Sequence, residues 1–280
     1  HGDIARGIQT IPASGPPWLW YPIPAFPRPQ GRCHNARLLS NGRKDNKLET
    51  KSPEASSQTQ AQLQLIGLDD MQDAGYKGQT IHIGIFDSGF EGVNTTGPFQ
   101  HLFDDGSVDL VASKDFVRNS SNVFQYDDHG TQVFSVIAAF QEGSFTGGAY
   151  EANYQLYVTE DASSEYRIEE YNWHFAAERA DSAGVDVINS SLGYYDFDDA
   201  TMNYPKSAMD GNTTVVTRAA QLAADRGIIV VCSAGNEGAN AWQIITAPAD
   251  AQDVLAIANV NSSGIRAGSS SIGPSADERI

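Results

Sequence analysis

At 280 residues and 40% hydrophobic content, the chain is long enough to bury one sizeable α/β core or to carry two small domains. Its formal net charge of -17 is unevenly spread: residues 1–52 hold eight Lys/Arg against three Asp/Glu, and residues 53–280 hold ten against thirty-two. A surface that acidic repels phosphate backbones and anionic lipid and favours cationic peptide segments, so a peptide or protein partner is expected and nucleic acid is not. No stretch approaches the roughly eighteen apolar residues of a membrane helix, so no membrane span is expected. Cys33 and Cys232 are read as unpaired thiols, Cys232 inside an apolar run typical of a core residue.

Residues 1–55 are rich in Pro, Gly, Arg and Ser without a hydrophobic period and read as a disordered or aberrant segment. The chain begins at His1, and the stretch 18–27 is too broken by proline for a signal-peptide core. From residue 56 a second region begins. A helix is predicted over 58–74, ending near Gly75, and strands over 81–86, 108–112, 154–158, 185–189, 228–232 and 254–260. Most of these strands are short, β-branched and apolar on both faces, as parallel strands covered by helices are. Helices are predicted between them. One carries Val133, Val136, Ile137 and Phe140 at helical spacing, a second spans 164–182 and stops at Gly184, and a third carries Val216, Ala219, Ala220 and Ala223 with Asn212 as N-cap and Gly227 just past its end. Strands alternating with helices of this length imply a doubly wound α/β domain: a mainly parallel central sheet flanked by helices, with right-handed crossovers.

In such sheets the working residues sit at the C-terminal ends of strands. Three motifs occupy that position: Asp87-Ser88-Gly89 closes the first strand, His129-Gly130-Thr131 opens a helix, and Ser233-Ala234-Gly235-Asn236-Glu237-Gly238 ends the fifth strand. To cleave an amide, an alcohol must lose its proton as it attacks, and imidazole is a base of the right strength, the role read for His129. A helix N-terminus disfavours imidazolium, so a carboxylate must offset that effect and fix the tautomer; Asp87 is the candidate. Asn236 would donate its side-chain amide to the oxyanion.

Each residue has a plainer reading. Asp87 alone is an ordinary turn aspartate, and Asn236 alone an ordinary loop asparagine. Asp-Ser-Gly also resembles the aspartic-protease signature, but that mechanism needs a second such carboxylate, and none is present. His129 after Asp127-Asp128 could ligate a metal, yet no His-Glu-x-x-His or comparable cluster accompanies it, so no metal site is assigned. His82, His101 and His174 read as structural.

Taken in order, these motifs resemble the subtilases, the subtilisin-like serine proteases, over residues 58–280. The matching segments are Ile85-Phe86-Asp87-Ser88-Gly89, Asp128-His129-Gly130-Thr131-Gln132-Val133 and Ser233-Ala234-Gly235-Asn236. Gly147-Gly148-Ala149 is similar to the family's turn after the histidine helix, and Ser270-Ser271-Ile272-Gly273-Pro274 with Asp277, Arg279 and Ile280 to the stretch that precedes its nucleophile segment.

The resemblance implies a subtilisin-like fold and an Asp-His-Ser triad. It also implies a peptide-binding segment at Ser191-Leu192-Gly193 that hydrogen-bonds substrate backbone by β-augmentation. Glycine there would leave room for a substrate side chain, with Ala234 and Gly235 as the opposite wall and Tyr194 and Tyr195 shaping the adjoining pocket. Further implications are a secreted or cell-envelope location and structural Ca²⁺, for which no ligands can be assigned among Asp104, Asp105, Asp127, Asp128, Asp196, Asp198 and Asp199. No cofactor is required for the chemistry.

The reactive serine of a Gly-Thr-Ser setting does not occur in the 280 residues. The expectation is therefore a peptidase domain over 56–280, incomplete at its C-terminus, with the nucleophile beyond Ile280 and the chain inactive by itself. Ser269, Ser270 and Ser271 read as loop serines. A rival reading is a peptide-binding pseudoprotease with the fold kept and hydrolysis lost. A nucleotide-binding protein is a weak alternative without Gly-x-Gly-x-x-Gly or a Walker-type loop.

Overall fold

The computed structural model describes residues 59–279; the N-terminal segment expected to be irregular, Cys33 and the final Ile280 lie outside the described residues. Two short helices come first, α1 (Gln60–Leu65) and α2 (Leu68–Asp73). They replace the single helix expected over 58–74, because Gly67 adopts a left-handed conformation, φ 69°, that ends one helix and restarts the chain in the next. There follow β1 (His82–Asp87), α3 (Gln100–Asp104), β2 (Lys114–Asp115), α4 (His129–Ala138), a hairpin of β3 (Phe140–Gln141) and β4 (Phe145–Thr146), and β5 (Asn153–Val158). The rest comprises α5 (Ile168–Ala183), β6 (Val187–Ser190), α6 (Val215–Asp225), β7 (Ile229–Ser233) and β8 (Leu255–Ile257).

Six strands form one sheet in the order β2-β5-β1-β6-β7-β8, with every pairing parallel. The chain moves to one side of β1 to lay down β2 and β5, then crosses to the other side for β6, β7 and β8. The strand order therefore reverses at β1, and the crevice beyond its carboxyl end is where such sheets bind ligands.

Alternation along the strands builds two cores. Ile83 and Ile85 of β1 join Tyr154, Leu156 and Val158 of β5 beneath Phe134 and Ala138 of α4. On the opposite face, Phe86 and Tyr157 join Ile188, Val230 and Cys232 beneath Trp173 of α5 and the Val216-Ala219-Ala220-Ala223 stripe of α6. Cys232 is a buried free thiol. Phe86 meets Trp173 edge to face at 5.1 Å, and Trp173 Nε1 donates to Ser190 Oγ at 3.0 Å, so the one polar atom of that buried ring is satisfied.

Several sequence-based boundaries shift. Residues 108–112 do not form a strand: Val108 makes one bridge to Tyr154, then Asp109 Oδ1 accepts from the N–H groups of Val111 and Ala112 and turns the chain, so pairing resumes only at β2. The strand expected over 254–260 contracts to β8. The N-cap of α6 is Thr214, whose Oγ1 accepts from Thr217 N at 3.0 Å, not Asn212. The stripe on α4 is rotated from its expected phase: Gly130, Phe134 and Ala138 are buried, whereas Val136 is exposed. Ile229, Leu255 and Ile257 stand more than half exposed at the β7–β8 end of the sheet. No helix of the described residues is long and apolar enough to cross a membrane.

Replacing Trp173 by alanine is expected to cost about 3–5 kcal/mol, the range for emptying a buried aromatic site. Val136→Ala, on the exposed side of α4, should stay within about 0.5 kcal/mol of the parent. Urea unfolding of the two variants checks the assignment of faces, and equal losses would contradict it.

Candidate active site

Asp87 is the last residue of β1 and is fully buried, whereas His129 is the first residue of α4 and half exposed. Two glycines permit their approach. A Cβ on Gly130 would lie 2.3 Å from the Gly89 carbonyl oxygen and 2.9 Å from Asp87 Cβ, and one on Gly89 would lie 2.4 Å from the Gln125 carbonyl oxygen. With hydrogen at both places, the start of α4 rests directly on the turn after β1. The two segments are then stitched together: Phe90 N donates to Val123 O, Glu91 N to Asp127 O, and Thr131 Oγ1 to Glu91 O.

The result is a hydrogen bond of 2.7 Å between His129 Nδ1 and Asp87 Oδ1. An ionised carboxylate only accepts, so Nδ1 carries the proton and Nε2 is left with its lone pair. Among the described residues, nothing hydrogen-bonds Nε2. Ser88 N donates to the same Oδ1 at 2.8 Å, its Oγ donates to Asp127 Oδ2 at 2.5 Å with Asp87 Oδ1 a longer contact at 3.2 Å, and Asp87 Oδ2 is buried without a partner. The bond to Asp87 raises the His129 pKa above the usual 6.5; burial opposes the rise, and the charges of Asp87, Asp127 and Asp128 reinforce it.

His129 opens onto a cleft of about 440 Å³ lined also by Ser88, Asp127, Leu192 and an acidic wall. Ser191, Leu192 and Gly193 leave the end of β6; Leu192 packs against the core below and faces the cleft above. Ala234, Gly235 and Asn236 leave the adjacent β7, so they stand on the same rim of the sheet, with Asn236 exposed. These three do not line the His129 cleft. The structure thus joins Asp87 to His129, sets His129 and Leu192 around one opening, and places Asn236 one strand further along the rim. Of the two tyrosines expected to shape a pocket, Tyr194 is buried and donates its hydroxyl to Glu160, and Tyr195 stacks on Trp242 at 4.2 Å.

The acidic wall escaped the sequence reading. Glu160, Asp161, Glu165 and Asp198 line the cleft, and the carboxylate oxygens of Glu160, Glu165 and Glu169 lie within 4.8 Å of one another. A signal existed, since Glu160 and Asp161 stand just past the end of β5, after Thr159, as Asp87 closes β1. Burial, reinforced by the Glu169 charge, pushes Glu160 well above the usual carboxylate range. Burial and the charges of Glu169, Asp198 and Asp196 push Glu165 up to about 7. Glu169 is likewise raised by burial, against the N–H groups of Asp161 and Tyr166 that it accepts.

Residues 78–280 match the Subtilase family. Subtilisin DY of Bacillus licheniformis is 30% identical over 210 residues, which cover 75% of this chain and 67% of that protein. Subtilisin NAT of Bacillus subtilis subsp. natto is 29% identical over 212 residues, covering 74% and 48%. Among solved structures, the nisin leader peptidase NisP from Lactococcus lactis superposes with a TM-score of 0.53 at 22% identity, covering 72% of this chain and 62% of that one. The chain belongs to the subtilase family and spans about half to two thirds of the length of these curated relatives.

In an NMR titration, His129 is expected to titrate above 6.5, and Asp87→Asn should lower that value, because the dominant raising contact is removed. An unchanged midpoint would mean that Asp87 does not set it. Glu165 gives a second test. Its carboxyl holds a proton more tightly folded than unfolded, so its contribution to stability is full below about 4.5 and is lost as pH rises towards about 7. Glu165→Gln should therefore flatten the fall in urea stability between pH 5 and 7.5, and a fall as steep as the parent's would refute the assignment.

Proposed function

We propose that the protein is a serine endopeptidase that hydrolyses peptide bonds through an Asp-His-Ser triad. Asp87 orients the imidazole and stabilises it when charged. His129 Nε2 takes the proton of the attacking serine hydroxyl, then delivers it to the leaving amine, and repeats the cycle with water to release the acyl group. The Asn236 carboxamide donates to the oxyanion. Ser191, Leu192 and Gly193 hold the peptide backbone, with Ala234 and Gly235 across from them. The observation that carries this reading is the 2.7 Å bond from a buried carboxylate to a half-exposed imidazole whose other nitrogen faces an open cleft.

The nucleophile is assigned to a serine outside this sequence. Ser270 Oγ accepts from Asn259 N and donates to Ser271 O, and Ser271 Oγ accepts from Glu237 N, so both act as loop ties. The alternative reading is a peptide-binding pseudoprotease that keeps the fold without hydrolysis. The residue that stands at the serine position decides between them.

The substrate is a peptide or protein, and the acidic cleft favours cationic segments. No cofactor enters the reaction. As a calcium site the Glu160-Glu165-Glu169 group fits poorly. Its oxygens already accept from the Tyr194 hydroxyl and two backbone N–H groups, whereas Ca²⁺ takes about six to eight oxygens. The family relationship supports a secreted or cell-envelope location.

The 280-residue chain alone is expected to show no casein hydrolysis above background. The same protein carrying its serine segment should hydrolyse casein, lose turnover on His129→Ala, and lose roughly 100- to 1,000-fold in kcat on Asn236→Ala, the scale known for an oxyanion donor in subtilisin. Turnover by the 280-residue chain that His129→Ala abolishes would overturn the placement of the nucleophile. Full turnover of the His129→Ala variant in the longer protein would overturn the triad.

A further inference from the structure

A second cavity, of about 500 Å³, opens at the opposite end of the strands from His129. His82 and Asn153, the paired first residues of β1 and β5, line it. Asp87 ends β1 five residues after His82, so roughly 16 Å of strand separates this cavity from Asp87. Its apolar wall is Phe103, Leu110 and Val111. Leu110 is 50% exposed and Val111 87% exposed, yet the turn that carries them is braced from both sides. Asp109 Oδ1 accepts from Val111 N at 2.9 Å and Ala112 N at 3.0 Å, and Arg179 of α5 donates to the carbonyl oxygens of Val111 at 2.6 Å and Ala112 at 2.5 Å. Two neighbouring apolar side chains are thus held out at the mouth of a cavity, and such preorganisation lowers the cost of binding a partner.

The floor is polar and incompletely paired. Residues paired across parallel strands share a face and alternate residues return to it, so Gln155 and Tyr157 lie on the face of His82 and Asn153. His82 Nδ1, Gln155 Oε1 and the Tyr157 hydroxyl are buried without a hydrogen-bond partner among the described residues, and Gln155 is 1% exposed. Leaving such groups unpaired is unfavourable. A carbonyl oxygen only accepts, so the group that satisfies Gln155 must donate.

Charge narrows the donor further. Asp109 lines the cavity, Asp186 Oδ2 accepts from His82 N at 3.0 Å beside it, and Arg179 is already engaged by its two carbonyl oxygens. These surroundings disfavour a carboxylate and favour a cation on an aliphatic stem. Arginine fits less well, because its planar fork seeks two parallel acceptors and Gln155 offers one buried oxygen.

We propose that this cavity binds a lysine side chain of a peptide, with the lysine stem and its apolar sequence neighbours against Phe103, Leu110 and Val111 and its ammonium donating to Gln155 and Asp109. The binding is independent of the triad.

The test is an NMR titration of the 280-residue chain with acetyl-Leu-Lys-Leu-amide, followed at the ring signals of His82 and His129. Acetyl-Leu-Glu-Leu-amide controls for charge, and n-butylamine supplies the stem and head without apolar flanks. Saturable shifts at His82 are expected with the lysine peptide, and both controls should bind more weakly. Gln155→Leu should weaken the lysine peptide by roughly tenfold or more, the scale of a lost hydrogen bond to a charged group, and should melt at or above the parent because it removes an unpaired buried oxygen. Val111→Ser, at an exposed position, should weaken binding without changing the melting temperature. Shifts at His129 alone would assign the peptide to the acidic cleft and overturn the site. Equal binding of the glutamate peptide would overturn the role of charge, and butylamine binding as tightly as the lysine peptide would make the ligand a free amine instead. Unchanged affinity in both variants would overturn the assignment of the cavity.

Discussion

A buried carboxylate bound to a half-exposed imidazole is the constraint around which this domain is arranged. Asp87 and His129 lie 42 positions apart and belong to different elements, so the bond exists only because the turn after β1 and the start of α4 touch backbone to backbone. Gly89 and Gly130 allow that contact, and neither has room for even a methyl group. The packing beneath holds it in register. Phe134, one turn into α4, stacks on Phe99 at 5.2 Å and meets Tyr154 of β5 at 4.8 Å, so the helix is fixed by the same core that fixes β1 and β5. A shift of α4 by one turn, about 5.4 Å, would empty that core and break the hydrogen bond together.

Features with local causes were legible in the sequence. The apolar runs at β1 and β5 announce strands buried on two faces, the Ala-rich stripe of α6 announces its buried side, and Gly184 marks the end of α5 with φ 80°. The alignment of Asp87, His129 and Asn236 with strand and helix ends follows from the same local logic. What stayed hidden depends on long-range contact. Whether 108–112 could pair was decided by the Asp109 side chain competing for local N–H groups, and the phase of α4 was decided by which residues face Tyr154 and Phe99. The contact of Thr246 with Gly193 and Gly235 was equally hidden, because the two glycines precede it by 53 and 11 positions and only the sheet brings them together.

The acidic wall shows how the net charge of -17 is used locally. Burial raises Glu160, Glu165 and Glu169, the Glu169 charge adds to the rise of the other two, and Tyr194 meets that pressure by donating to Glu160. Tyr194 also ties the wall to the segment after β7, since its N–H donates to the Ala247 carbonyl oxygen.

The protonation of His129 then depends on a competition with known magnitudes. Its place at the N-terminus of α4 disfavours imidazolium by about 0.3–1 kcal/mol, and burial works in the same direction. Against these stands a hydrogen bond to a charged acceptor, a class worth about 1.5–3 kcal/mol, supported by Asp127 and Asp128 close by. The carboxylates prevail, and the imidazole is a stronger base than it would be in water. That direction is the one the proposed general base needs, and Asp127 supplies part of it from the wall of the cleft itself.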